Sequence, residues 1–482
     1  PTPPHSHTPT ASPRRPAPVF GLSPEWLLHE GKPVADTLVL SHPEQLDRLR
    51  AACPEAAPTA VLAGDPCYDR ILAAAPLRAR FRRALGVRRG QRLVLINSTW
   101  SRASLFGDGA PAGDVLPALL SRLTAELPTD EYRIAAVLHP NIWHGHGPGQ
   151  IRAWLDRARR SGLTLVDPLD GWRQALIAAD AVIGDHGAVT FYAAALGTPV
   201  LLASAPLSEL DPGSPTADFV RHAPRLDAAA SLRRQLETLL ARHTPMPGPA
   251  RFTTSAPGDS AAQLRRLFYE LMGADEPGTP ATLERLPLPA YEQADPTAPL
   301  RVLTRLDAAA EVSVTRHPDA VHEPDSDGDC DDEVHTAVHE DTRDRDRLET
   351  ADLIFRSGPP DDPRLGTPAQ WTAEVLARHP HCALAAYITG PHTCTVRTRG
   401  GELLHIRARP AASAESAASA DPAASAHPAD DADPGGDADP AAYASAVHAW
   451  IAGGKSPAEL VDGGLTMRLG DAVHRAEVST AG

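Results

Sequence analysis

A chain of 482 residues, 42% of them hydrophobic and with a formal charge of −15, is long enough for two or three separate cores. The acidic balance excludes a general nucleic-acid binder, because such proteins need a basic face to displace counterions from the backbone. Lys32 and Lys455 are the only lysines among 46 basic residues, so the arginine excess reflects coding composition more than function.

Residues 1–20, rich in Pro, Ser, Thr and His, read as linker. A strand at 37–41, a helix at 43–52 and a strand at 60–63 follow. From there to about 274 apolar strand runs alternate with helical periodicity: strands at 92–96, 133–138, 163–166, 181–184 and 199–203, helices at 115–127, 150–160, 172–179 and 188–196. Five apolar strands alternating with helices predict a Rossmann-like, doubly wound parallel α/β sheet, closed by helices at 228–242 and 261–272. Beyond residue 285 the character changes. Strand candidates at 301–304, 311–315, 353–356, 383–388, 393–397 and 403–407 surround one helix near 370–378, predicting a small α+β domain over 285–318 and 349–409. An acidic, His-containing run at 319–348 and an Ala/Pro/Asp tract at 410–440 lack the apolar content to offset chain entropy, so both are expected to be disordered. A helix and hairpin are expected over 441–482.

Chemistry concentrates at 180–204, where Ala181-Val182-Ile183 runs into Gly184-Asp185-His186-Gly187, then a helix, then Gly197-Thr198-Pro199 and a second apolar strand. A helix that begins just after a glycine turn at a strand's C-terminal end aims unpaired N–H groups and the positive end of its dipole at one spot, which suits a phosphate. Gly187 lets a backbone approach closely, and Thr190 adds a hydroxyl in the first helical turn. Asp185 can equally serve as a helix cap. Ser98 and Thr99, ending the first strand of the sheet, either bond phosphate or merely shape the turn. His139, ending the second strand before Pro140, is positioned to donate a charge-assisted hydrogen bond to a diphosphate.

The order of Gly64-Asp65-Pro66 with Tyr68-Asp69, Ser98-Thr99-Trp100, Leu138-His139-Pro140, and Asp185-His186-Gly187-Ala188-Val189-Thr190-Phe191 resembles the nucleotide-binding half of the CDP-glycerol glycerophosphotransferase family. These are teichoic acid primase and polymerase types within the GT-B architecture. The resemblance covers about residues 36–273 and implies that 59–274 is the C-terminal nucleotide-binding domain, with 21–58 a remnant of the N-terminal one. It also implies that His139 binds the donor's pyrophosphate and that Ser98, Thr99, Asp185, His186, Gly187 and Thr190 line the donor site. Gly187-Ala188 replaces the family's paired serines, and Tyr192 stands where the family has an acid. The family's catalytic His-Gly turn has no match before residue 60, so the catalytic residues are unassigned and the chain is expected to be part of a longer transferase. The alternative is a degenerate, non-catalytic GT-B module acting in protein interaction.

The expected partner is a nucleotide-activated donor, CDP-glycerol or a nucleotide sugar, with no nucleic acid, no cofactor and no metal. Five cysteines without a Cys-x-x-Cys pair fit a reducing compartment and give no zinc site. Solvated linker is a better reading than metal binding for His317, His322, His335 and His339. No apolar run reaches the length of a membrane span and no signal peptide is visible, so a cytoplasmic location is expected. Peripheral membrane contact would come from the arginine cluster at 78–92, which otherwise is a solvated helix face. His144-Gly145-His146-Gly147 reads as a mobile loop. Gly453-Gly454-Lys455-Ser456 imitates a phosphate loop but follows a helical pattern, so the glycines are read as a helix C-cap.

Overall fold

The computed structural model describes residues 21–107, 115–290, 296–318, 332–409 and 438–480. Its central element is a parallel sheet of five strands, β1 (Arg92–Ser98), β2 (Tyr132–Leu138), β3 (Thr164–Leu165), β4 (Ala181–Gly184) and β5 (Val200–Leu202), in the order β3-β2-β1-β4-β5. Strands buried on both faces need apolar side chains throughout, and β1 is covered from Leu93 to Ser98. One face packs on the helices Pro66–Ala74, Arg78–Ala84, Trp172–Ala178 and Ala188–Ala195; the other packs on Val115–Glu126, Leu232–Arg242 and the 140–158 helices. The order reverses between β1 and β4. That reversal opens a crevice beyond the strands' C-terminal ends, the usual ligand edge of such sheets.

Ahead of this domain a parallel pair, Leu38–Leu40 beside Ala60–Leu62, and the helix Pro43–Ala52 form a small core around Leu40, Leu49 and Cys53. Asp65 caps the next helix through the N–H groups of Cys67 and Tyr68, both at 2.9 Å.

The C-terminal part departs from the expected small α+β domain. Nine strands, β6 (Leu300–Leu306), β7 (Glu311–Pro318), β8 (Glu333–His339), β9 (Leu353–Ser357), β10 (Leu384–Gly390), β11 (Thr393–Thr398), β12 (Leu403–Ala408), β13 (Leu465–Leu469) and β14 (Ala472–Thr480), close into a barrel. β8 pairs with β6 to seal it, and β7 pairs in parallel with β13. The helix Pro440–Ala452 fills the barrel, with Ala441, Ala442, Ala444, Ala446 and Ala449 all buried among strand side chains. The alanines let the helix sit close to the strands, while Tyr443, Val447 and Trp450 fill the remaining interior. The helix Pro368–Arg378 covers the outside through Trp371 and Val375.

Strand β8 and a short helix at Arg345–Glu349 correct the expectation of disorder over 319–348. His335 and Ala337 alternate into the barrel, and the burial of Ala337 inside it and of Val338 against the outer helix offsets the ordering. The remainder of that run, 319–331, and nearly all of the 410–440 tract lie outside the described residues, as does the 1–20 linker.

The barrel docks on the sheet edge opposite the crevice. Arg316, 1% exposed, binds Asp130 in the loop before β2 through two hydrogen bonds of 2.8 and 2.6 Å and Asp439 at 2.9 Å. Burial alone would lower the guanidinium's pKa, but the two carboxylates hold it above its usual range. Among the described residues no helix is long and apolar enough to cross a membrane.

Candidate functional site

The crevice is built by three strand ends. The His139 N–H donates to the Ser98 carbonyl at 2.9 Å, tying the end of β2 to the end of β1. A β-carbon on Gly187 would lie 2.7 Å from the Thr99 β-carbon, so the turn after β4 touches the turn after β1 and only glycine fits there. His139, Ser98, Thr99 and Gly187 therefore meet at one sheet edge.

Their side chains have unequal roles. Asp185 is fully buried. One carboxylate oxygen accepts from Gly187 N–H at 3.0 Å and the other from the N–H groups of Thr99 at 2.9 Å and Leu105 at 3.3 Å. Burial pushes its carboxyl pKa up, while His186 and these three donors pull it down. The carboxylate thus already occupies the place where backbone donors converge. Ser98, 1% exposed, donates to the Thr99 carbonyl and accepts from Phe106 N–H. Thr190, also fully buried, accepts from Asn97 at 2.9 Å and sits where a β-carbon on Gly184 would collide with it. These three residues shape the crevice from beneath and are not presented to a ligand.

Four features remain open. No side chain caps the helix Ala188–Ala195, so its first N–H groups, at the crevice edge, lack intrahelical partners. Half-buried His186 has a buried Nδ1 with no hydrogen-bond partner. Thr99 is partly exposed. His139 accepts from Asn141 N–H at 3.1 Å through Nδ1, which places its own proton on Nε2. Burial lowers its pKa, with the Asp185 charge opposing. His139 is accordingly a neutral donor before any ligand arrives, and toward an ionised diphosphate its hydrogen bond is charge-assisted through the acceptor.

Two neighbours named in the sequence pattern, Trp100 and Tyr192, were given no role there. Trp100, 53% exposed, holds its ring 6.2 Å from that of His139, so the aromatic residue of the Ser98-Thr99-Trp100 turn lies beside the strand-end histidine. Tyr192, at the position of the family's acid, donates to Asp65 at 2.6 Å and stacks on Tyr68 and Trp172. Residues 144–146 belong to the helix Pro140–His146, and His146 packs on Phe106 and Trp154, which corrects the mobile-loop reading. In the arginine cluster, Arg78 and Arg82 both bind Asp180 at 2.6 Å and Arg88 binds Asp130 at 3.2 Å, so these three brace the domain. Gly454, with φ of 75°, ends the helix Pro440–Ala452. Among the described residues no group of three His, Cys, Asp or Glu side chains is placed to hold a metal ion.

Sheet order, parallel strands and a crevice at the point of reversal define this region as a Rossmann-like, doubly wound α/β domain. No protein-family model matches the chain, and no curated protein matches it. Among solved structures, the wall teichoic acid polymerase TagF aligns with a TM-score of 0.35 and 16% identity over 49% of this chain and 57% of TagF. A glycosyltransferase from Rickettsia africae ESF-5 aligns at 0.31 and 10% over 51% and 65%. The UDP-GlcNAc 2-epimerase of Methanocaldococcus jannaschii, in complex with UDP-GlcNAc and UDP, aligns at 0.32 and 12% over 49% and 61%. The chain spans just over half the length of TagF. What it binds has to be read from its own residues.

Proposed function

We propose that the crevice between β1 and β4 binds the diphosphate of a nucleotide-activated donor, CDP-glycerol or a nucleotide sugar. In this reading the chain is the donor-binding portion of a transferase. The supporting observation is the uncapped helix at Ala188–Ala195 facing the same edge as the Nε2–H of His139. Helix-terminal N–H groups with a favourable dipole suit an anion. His139, Thr99, His186 and the free backbone N–H groups from Ala188 onward are the contacts; Asp185, which takes the Gly187 N–H, together with Ser98 and Thr190 holds them in place. In a transfer reaction these donors stabilise charge developing on the nucleotide leaving group, while the residue that deprotonates the acceptor is unassigned.

Calorimetry with CDP and UDP tests the reading. Binding is expected in the high micromolar to millimolar range, about −4 to −6 kcal/mol. His139→Ala should cost about 1.5–3 kcal/mol, the value of a hydrogen bond to a charged group, and cytidine without phosphates should be indifferent to it. Equal nucleotide affinity with and without the imidazole overturns the role of His139. The covered state of Ser98 and Thr190 favours one second reading, a sheet edge kept as a non-catalytic interaction module, for which neither nucleotide binds.

A further inference from the structure

A second concavity lies beyond β5, on the edge where that strand starts rather than where His139 and Gly187 sit. The chain makes it by extending the sheet: Leu202 N–H bonds the Pro224 carbonyl at 2.8 Å and Leu226 N–H returns to Leu202 at 2.9 Å. The helix Leu232–Arg242 then folds back alongside. Between this helix and the C-terminal end of Ala188–Ala195 remains a groove of about 690 Å³, within the size range of small-molecule sites.

Its floor is apolar, formed by Ala194, Val200, Leu201, Leu239 and Met246. Every charged or titratable side chain lining it is basic: Arg225, Arg234, Arg242 and His243. In a chain of net charge −15, a groove lined without a single carboxylate is a marked local inversion. His243 is committed to the Gly197 carbonyl at 2.8 Å. Arg225 reaches only the Val220 carbonyl, at 3.4 Å, and neither Arg225 nor Arg242 has an ion-pair partner among the described residues. Guanidinium groups recognise carboxylate, sulfate and phosphate oxygens through paired donors, and an apolar floor takes an alkyl chain by removing it from water.

We propose that this groove binds a single-chain amphiphile with an anionic head, the alkyl chain on the Ala194, Val200 and Leu201 floor and the head between Arg225 and Arg242. The site is separate from the crevice and does not depend on the donor reading.

Calorimetry with monomeric dodecanoate tests it, against dodecyltrimethylammonium as the cationic counterpart. Dodecanoate binds the unaltered protein at micromolar concentration and the cationic amphiphile at least ten-fold more weakly. Arg242→Glu weakens dodecanoate about ten-fold, the scale of one lost charged hydrogen bond. Thr238→Trp, which fills the groove from an exposed helix position, abolishes binding. Arg266→Glu, the same charge change on an exposed helix elsewhere, leaves it unaltered. Equal affinity for the two amphiphiles, or insensitivity to Thr238→Trp, overturns the proposal as non-specific adsorption. Sedimentation with phosphatidylglycerol vesicles in the absence of dodecanoate binding overturns it in favour of a bilayer surface.

Discussion

The backbone N–H of Thr99 donates to the buried carboxylate of Asp185 at 2.9 Å, so the turn after β1 is fastened to the turn after β4 by a side chain. The same carboxylate receives Gly187 and Leu105. Asp185→Ala leaves three backbone donors without their acceptor, and a buried donor stripped of its partner costs about 1–3 kcal/mol. A destabilisation of roughly 3 kcal/mol or more is expected in urea unfolding, with nucleotide binding lost alongside. Asp185→Asn keeps one acceptor oxygen and should recover part of both. A wild-type unfolding midpoint in Asp185→Ala would show that the turns are held by something else.

Because His139 gives Nδ1 to Asn141 and burial lowers its pKa, the imidazole is neutral above the ordinary imidazole range. CDP affinity is therefore expected to stay flat between pH 7 and pH 8.5, and to rise only on acidification below about 6.5, when the ring gains charge. Titrations by calorimetry across that span are the check. A fall in affinity from pH 7 to 8.5 would mean that a protonated His139 carries the binding.

Inside the barrel the His335 ring lies against that of His448, tilted by 33° with centroids 4.3 Å apart. Burial, then the His448 charge, lowers the His335 pKa to about 3; burial, with Arg233 and Arg301, lowers that of His317 to about 4. Both rings are neutral in the fold and titrate near 6.5 once unfolded. The unfolded chain then binds more protons between those values, so stability is complete above about pH 6.5 and is lost as pH falls toward 4. Each group contributes about 1.4 kcal/mol per pH unit in that window. His335→Leu should flatten the dependence of unfolding free energy on pH between 6 and 4.5 by about one proton. An unchanged slope would place His335 in a more solvated setting.

Arg316 joins the barrel to the sheet domain through Asp130, and Asp439, which caps the barrel's own helix, holds the guanidinium in place. Removing one member of a buried ion pair costs about 3–5 kcal/mol, because its partner stays buried and charged. Arg316→Ala should lower the thermal midpoint by several degrees and split unfolding into two transitions, seen by calorimetry. Arg316→Ala with Asp130→Ala should restore part of the loss, and no recovery in the double variant would contradict the pairing.

The sheet was legible because five runs such as Leu93 to Ile96 carry apolar side chains on both faces, a pattern with few alternatives. Their ends were legible too, since Gly184 and the Ser98-Thr99 turn punctuate those runs. The direction of each polar side chain at those ends was not. Thr190 faces inward from its helix because Asn97, at the end of β1, supplies its partner, and Asp185 is claimed by donors about 80 residues away. Such choices are settled by long-range hydrogen bonds that leave no periodic trace. The barrel was hidden for a related reason. In β8 the inward positions include two histidines, so its alternation reads as polar. The Ala-rich helix at Pro440–Ala452 follows a tract of similar composition and gives no sign that strands enclose it.

The position of that helix in the chain sets an order of events for synthesis. Seven strands, β6 to β12, emerge before the Pro440–Ala452 helix that fills their interior, and β13 and β14, which close the gap between β7 and β12, emerge last. The inner faces have nothing to pack on until the helix arrives, and β7 and β12 each expose an unpaired edge until β13 and β14 follow. The barrel is thus a late, all-or-none event that the Rossmann-like domain does not have to wait for. A chain ending at residue 409 should keep a protease-resistant parallel sheet while everything after residue 300 is digested.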